Sequence, residues 1–128
     1  MNPVNPERLS VEFHSAPYGL AMSVSGDLDA GTAGAFRRQA DGLSMGDGPL
    51  YVLLDLTGLS FCDSSGLSAL IGLWRRVMET SGLLALTGAH GVAARILHTT
   101  AMHQVFRLYP SQEEAIAALT SAQPPTPA

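Results

Sequence analysis

The chain has 128 residues, of which 46% are hydrophobic and only 14% charged, and its formal net charge is −4. This composition predicts one folded domain and excludes a disordered chain. All seven basic residues are arginines, and they are scattered rather than clustered, which argues against nucleic-acid binding.

Three further features bear on the compartment. No apolar run approaches the roughly 20 residues that a membrane-spanning helix needs. The first residues lack the basic and apolar segments of a secretory signal, and the single cysteine, Cys62, has no partner for an internal disulfide. We therefore expect a cytoplasmic protein that does not associate with membranes.

The first part of the chain predicts a strand hairpin followed by a helix. Apolar and polar residues alternate over residues 9–14 and again over residues 20–24, and residues 16–19 separate them as a turn. Asp29 stands where it can cap the next helix, whose apolar residues fall at helical spacing over residues 36–43.

From residue 50 onward, short apolar runs alternate with helical patterns. Residues 50–54 and 83–86 are continuously apolar and predict buried strands, and residues 105–109 predict a last strand. The first helix of this part carries one apolar stripe over residues 67–78 and should end at the Gly of residues 81–82.

Two shorter helices complete the pattern. One lies around residues 92–97, and the other follows a capping box formed by Ser111 and Glu114. Five strands and four helices in this order predict an α/β fold: a mixed, mainly parallel sheet with an N-terminal hairpin and helices mostly on one face. We assign residues 1–8 to an N-terminal arm, 9–121 to the domain and 122–128 to a disordered Pro-rich tail.

The quartet Asp63-Ser64-Ser65-Gly66 stands where the central apolar segment gives way to a helix. The simplest explanation is that Asp63 or Ser64 caps that helix by accepting a hydrogen bond from a free backbone N–H group. Two adjacent hydroxyls exceed what a cap requires, and the small residues around them leave the surface open to another protein.

Enzyme motifs are absent from the sequence. The quartet lacks the G-x-S-x-G pattern of a nucleophile elbow, and none of the four histidines has a companion motif. There is no closely spaced Cys/His cluster and no phosphate-binding glycine loop. We therefore expect no catalytic residue, no metal site and no cofactor.

Three segments of the sequence resemble the anti-sigma factor antagonists, which are bacterial proteins of the STAS-domain family. Residues 53–67, LLDLTGLSFCDSSGL, are very similar to the family's central D-S-S-G signature. Residues 25–29, SGDLD, match its G-[ED]-[IL]-D segment, and residues 105–115 match its final strand and helix. The resemblance extends from about Leu9 to Leu119 and implies a STAS-like single domain.

The resemblance also implies a function. In this family the unphosphorylated antagonist binds a serine-kinase anti-sigma factor and thereby frees a sigma factor. The kinase phosphorylates the first serine of D-S-S-G, here Ser64, which releases the antagonist, and a serine phosphatase resets it. The implied partner-binding residues are Asp27, Asp63, Ser65 and Gly66. The oligomeric state stays open.

The sequence departs from the family at two places, and two other functions stay open. Asp27 stands where the family often has glutamate, and residues 100–103 replace a common Gly-Leu pair. One alternative is a STAS scaffold that is never phosphorylated and that works within a sensory or transport-associated complex. The other is a small hydrolase that uses Ser64, for which folding would have to bring a histidine close.

Overall fold

The computed structural model describes residues 8–43 and 46–124. The predicted arm, apart from Arg8, and residues 125–128 of the predicted tail lie outside these ranges. The described residues form six strands and four α-helices, in the order β1 (Leu9–Ala16), β2 (Gly19–Leu28), α1 (Ala33–Asp41), β3 (Tyr51–Asp55), β4 (Leu59–Cys62), α2 (Ser64–Glu79), β5 (Leu83–Thr87), α3 (Gly91–Thr99), β6 (Arg107–Tyr109) and α4 (Gln112–Ala122). A 3-10 helix, Met102–Gln104, precedes β6.

The strands form one mixed sheet in the order β1-β2-β3-β5-β6, with β4 paired to the far end of β2. The β1–β2 hairpin is antiparallel, and the other four pairings between the described strands are parallel. The predicted α/β class, the leading hairpin and the mainly parallel sheet are therefore confirmed. Parallel neighbours require crossover connections, which the intervening helices supply.

The prediction of five strands is wrong, because β4 was missed. Its four residues do not alternate in burial: Leu59 and Cys62 are buried, whereas Ser60 and Phe61 are exposed. The strand continues the sheet beside the last residues of β2, where the register shifts by a bulge after Gly26. A bulge of this kind removes the two-residue period on which strand prediction depends.

Helices cover the two faces of the sheet unequally. Buried residues of α1, α2 and α3, such as Phe36, Leu70 and Leu97, share the main core with β1 to β5. A smaller cluster on the other face joins Leu53 and Ala85 to Ala115 and Leu119 of α4 in a separate group. The expectation that helices lie mostly on one face is confirmed, with α4 alone on the second face.

Two predicted helix ends are wrong in detail. Asp29 does not cap α1, because Thr32 is the N-cap residue; the Asp29 carboxylate instead pairs with Arg8 and accepts a hydrogen bond from the Gly31 N–H at 2.9 Å. At the end of α2 the left-handed residue is Ser81, with φ 64°, and not Gly82. Gly82 is needed for another reason, because a Cβ there would lie 1.7 Å from the Leu50 carbonyl oxygen.

The C-terminal boundaries also move. The last strand is shorter than predicted, because the chain before Arg107 forms the 3-10 helix and a turn. Helix α4 extends through Ala122, and the Gln123 side chain donates a hydrogen bond to the Tyr18 carbonyl oxygen at 2.7 Å. Residues 122 and 123 therefore belong to the folded domain and not to the tail. None of the described helices has both the length and the apolar character that a membrane crossing requires.

Candidate functional site

Asp63 forms the N-cap of α2. It adopts an extended backbone, and its Oδ1 accepts a hydrogen bond from the Gly66 N–H at 3.0 Å. A cap satisfies one of the N–H groups that a helix start leaves without an intrahelical partner. Of the two capping candidates in the quartet, Asp63 therefore has this role and Ser64 does not.

Ser64 is the first residue of α2 and is exposed. Its hydroxyl makes no hydrogen bond with any residue in the described ranges, and the same holds for the half-buried Ser65. Ser64 is thus not sealed in the core, and none of the residues that the structure describes uses its hydroxyl. It lies at the N-terminal end of α2, where the positive end of the helix dipole is a favourable place for an anion.

A shallow depression of about 480 Å³ lies between α1 and α2 next to Ser64. Ser64, Ser65 and Ser68 line its α2 side, and small residues of the α1 region line much of the rest. Arg37 of α1 also lines it, and its Nη2 donates a hydrogen bond to the Ser68 Oγ at 2.9 Å. A guanidinium group therefore lies one helical turn from the free hydroxyl.

Gly66 supports the start of α2 from beneath. It is buried, and a Cβ at this position would lie 2.1 Å from the Leu28 carbonyl oxygen and 2.9 Å from the Cys62 Sγ. Only a residue without a side chain lets the first turn of α2 approach the end of β2 this closely. The glycine of the quartet therefore has a packing role in this structure.

Asp27 lies at the end of β2, beside the quartet. It pairs in register with Phe61 of β4, and the next pair in this ladder is Leu28 with Cys62, which immediately precedes Asp63. Asp27 is half-buried and Phe61 is 40% exposed, a large value for a phenylalanine. Asp27, Phe61, Asp63 and Ser64 consequently lie on adjoining segments.

Cys62 is buried directly under this surface. Burial, and to a smaller extent the Asp63 carboxylate, raise the pKa of its thiol to about 11. The thiol therefore stays protonated at neutral pH, and a protonated thiol is a poor nucleophile. Its contribution is to the core beneath the quartet.

The described side chains that line the depression include no group that could activate a serine. The described residues that line it offer three serines and an arginine but no histidine and no carboxylate, so Ser64 has no base there. The described residues also contain no group of three or more metal-ligating side chains.

Two residues of this region were missed by sequence reasoning. Arg37 and Ser64 are 27 positions apart, and only the packing of α1 on α2 brings them to one depression. Phe61 carried a weak signal, because it is a large aromatic residue within the central motif. Its exposure follows from the irregular burial of β4, which the sequence pattern does not reveal.

Comparisons with known proteins place the fold and the motif in context. A family model described as "STAS domain" matches residues 8–115. An anti-sigma F factor antagonist from Paenibacillus polymyxa is 25% identical over 111 residues, which cover 87% of this chain and 95% of that protein.

Two solved structures show how widely the fold is used. The crystal structure of an anti-sigma factor antagonist from Mycobacterium paratuberculosis has a TM-score of 0.77 at 24% identity, covering 91% of this chain and 97% of that one. A sulfate transporter family protein from Wolinella succinogenes has a TM-score of 0.70 at 15% identity, covering 85% and 90%. At these identities the likeness establishes the fold alone. The family model covers most of the domain, and the chain therefore belongs to the STAS domain family.

Proposed function

We propose that this chain is an anti-sigma factor antagonist. In its unphosphorylated form it binds a serine-kinase anti-sigma factor and frees the sigma factor, and phosphorylation on Ser64 inactivates it. The observation that carries the proposal is the exposed Ser64 hydroxyl, which the fold leaves free because Asp63 takes the capping role. The name of the Paenibacillus relative supports the same function.

The surface around Ser64 suits a switch that acts on binding rather than on folding. A phosphate adds about −1.5 to −2 charges near neutral pH. The start of α2 tolerates an anion, so we expect the modified domain to keep its fold. The added charge and bulk would lie on the proposed docking surface of Asp27, Asp63 and Ser65, with Gly66 supporting it from below.

The phosphorylation step is tested by incubating the protein with ATP and a candidate kinase-type anti-sigma factor. The expected reaction transfers the γ-phosphoryl group of ATP to the Ser64 Oγ and releases ADP. Mass spectrometry should locate the phosphate on Ser64, the Ser65→Ala variant should still accept it, and Ser64→Ala should not. Phosphate found on Ser65 in the unmodified sequence would contradict the assignment. A serine phosphatase should then remove the group. Because the transfer uses ATP, the proposed activity belongs to the cytoplasm.

The binding step is tested with the Ser64→Glu variant. We expect loss of binding to the kinase partner, measured by calorimetry, with an unchanged backbone amide NMR spectrum outside the first turn of α2. Ser121→Glu is the matched control, because Ser121 is an exposed serine of α4 on the opposite face of the sheet. Widespread changes in the spectrum of Ser64→Glu would show that the switch acts through folding.

A second candidate function is a STAS scaffold that is not phosphorylated. The fold similarity to the Wolinella sulfate transporter family protein favours it, because the same domain architecture occurs in that setting. Stable complex formation with a kinase-type partner, without phosphate transfer to Ser64 at saturating ATP, would support the scaffold instead.

A further inference from the structure

We propose that Arg37 is the internal counter-ion of the phosphate on Ser64, so that the depression between α1 and α2 is a phosphoserine-binding pocket that the chain carries for its own modified residue. This inference rests on the proposed phosphorylation of Ser64. It adds a residue of α1 that lies outside the D-S-S-G motif.

The first argument for this proposal is the position of Arg37. Its Nη2 donates to the Ser68 Oγ at 2.9 Å, and Ser68 follows Ser64 by four positions on α2. Residues four apart on a helix lie on the same face, with Cβ atoms about 5–6 Å apart. Helical side chains also lean toward the N-terminus, so Ser68 holds the guanidinium on the side where Ser64 lies.

The second argument is the free space in the depression. Ala30, Ala33 and Gly34 line the depression with little or no side chain, so a phosphate group on Ser64 meets no bulky neighbour there. Arg37 itself is exposed and makes one hydrogen bond to a neutral hydroxyl within the described residues. It can therefore move toward the phosphate without breaking an ion pair.

The chemistry of the two partners decides which of them the guanidinium prefers. The present bond from Arg37 to Ser68 has one ionised partner, whereas in a bond to phosphate both partners are ionised, and a guanidinium matches a phosphate with two parallel N–H···O bonds. Arg37 should thus exchange the Ser68 hydroxyl for the Ser64 phosphate. The phosphate would then lie in the depression and link α1 to α2 through Arg37. The Asp63 carboxylate would repel the phosphate, because both groups are negatively charged.

The test uses full-length protein with phosphoserine placed at position 64 by genetic encoding, so that no kinase is needed. The second pKa of the phosphate is measured by phosphorus NMR titration in the wild-type background and in the Arg37→Gln variant. We expect Arg37→Gln to raise this pKa by about half a pH unit, because an exposed cation that favours the dianion is removed. The thermal midpoint of the wild type should rise by about 2 °C on modification, and that of Arg37→Gln should not.

Arg38→Gln is the matched control. Arg38 is the next residue of α1 and is also exposed, but it does not line the depression. Equal phosphate pKa values in the Arg37→Gln and Arg38→Gln proteins would overturn the inference. That result would leave the proposed function intact if the kinase still modifies Ser64, whereas a failure of every kinase partner to modify Ser64 would refute the proposed function without affecting this measurement.

Discussion

The N-termini of α2 and α4 are built on the same plan but use serine in opposite ways. In α4 the cap is Ser111, whose Oγ accepts a hydrogen bond from the Glu114 N–H at 3.1 Å. In α2 the cap is Asp63, and Ser64 is the first residue of the helix, where it is exposed. The fold therefore uses the hydroxyl of Ser111, whereas no described residue bonds to the hydroxyl of Ser64.

The first helical residue differs between the two ends as well. In α4 it is Gln112, whose Nε2 donates to the Asp55 Oδ2 at 3.1 Å and ties the helix start to β3. In α2 it is Ser64, and the tie to the sheet is made beneath it by the close approach of Gly66 to Leu28. The start of α2 is thus fixed to the sheet by the contact between Gly66 and Leu28. The exposed Ser64 takes no part in that contact.

The largest expected effect concerns the close contact between Gly66 and Leu28. Gly66→Ala should lower the free energy of unfolding by about 3 kcal/mol, because the new Cβ would lie 2.1 Å from the Leu28 carbonyl oxygen. Either the end of β2 or the start of α2 would have to move. Urea denaturation followed by circular dichroism measures the change.

Gly72→Ala in the same helix is the control for the Gly66 substitution. A Cβ at Gly72 meets nothing within 4 Å, and alanine favours a helix interior, so this variant should gain about 0.5–1 kcal/mol. A Gly66→Ala protein as stable as Gly72→Ala would show that the packing at the start of α2 does not require a glycine.

The second effect concerns the cap of α2. Asp63→Ala should cost about 1 kcal/mol of stability, because the Gly66 N–H loses its acceptor. Asp63→Asn should be nearly neutral for stability, since asparagine caps as well as aspartate does. Chemical denaturation of the three proteins separates the cap from the charge, and equal losses in both variants would mean that the carboxylate charge, rather than the cap, stabilises the helix.

The contrast between these helix ends also shows how far sequence reasoning reaches. The capping role of Ser111 was predictable, because a serine followed three residues later by glutamate is a local signal, and local signals survive folding. The exposed position of Ser64 was likewise predictable from small polar residues between an apolar segment and a helix. The family resemblance identified the same residues.

Features set by tertiary packing were not predictable. Arg37 reaches the serine-lined depression only because α1 packs on α2, and β4 was missed because it pairs with β2 across a bulge. Ala101 adopts a left-handed conformation with φ 61°, in the segment where the chain departs from the family's Gly-Leu pair. Nothing in the spacing of apolar residues encodes these three features, since each depends on segments far apart in the chain or on a strained backbone.

The third effect is the loss of stability in Ser111→Ala, which is the reference value for the Ser64→Ala variant. Ser111→Ala should cost about 1 kcal/mol, close to the cost of Asp63→Ala, because it removes the acceptor of the Glu114 N–H. Thermal unfolding monitored by calorimetry is sufficient to detect it. A negligible loss would mean that water replaces the hydroxyl at this exposed helix start, and α4 would then no longer represent a serine that the fold requires.

The smallest expected effect is the most informative one. Ser64→Ala removes a hydroxyl that no described residue uses, so its stability should stay within about 0.5 kcal/mol of the wild type, well below the loss in Ser111→Ala. The same calorimetric experiment measures both variants. A loss for Ser64→Ala equal to that for Ser111→Ala would show that the fold does depend on the hydroxyl. Phosphorylation would then disturb the start of α2 itself, and the modified protein would be released through a structural change rather than through rejection at an intact surface.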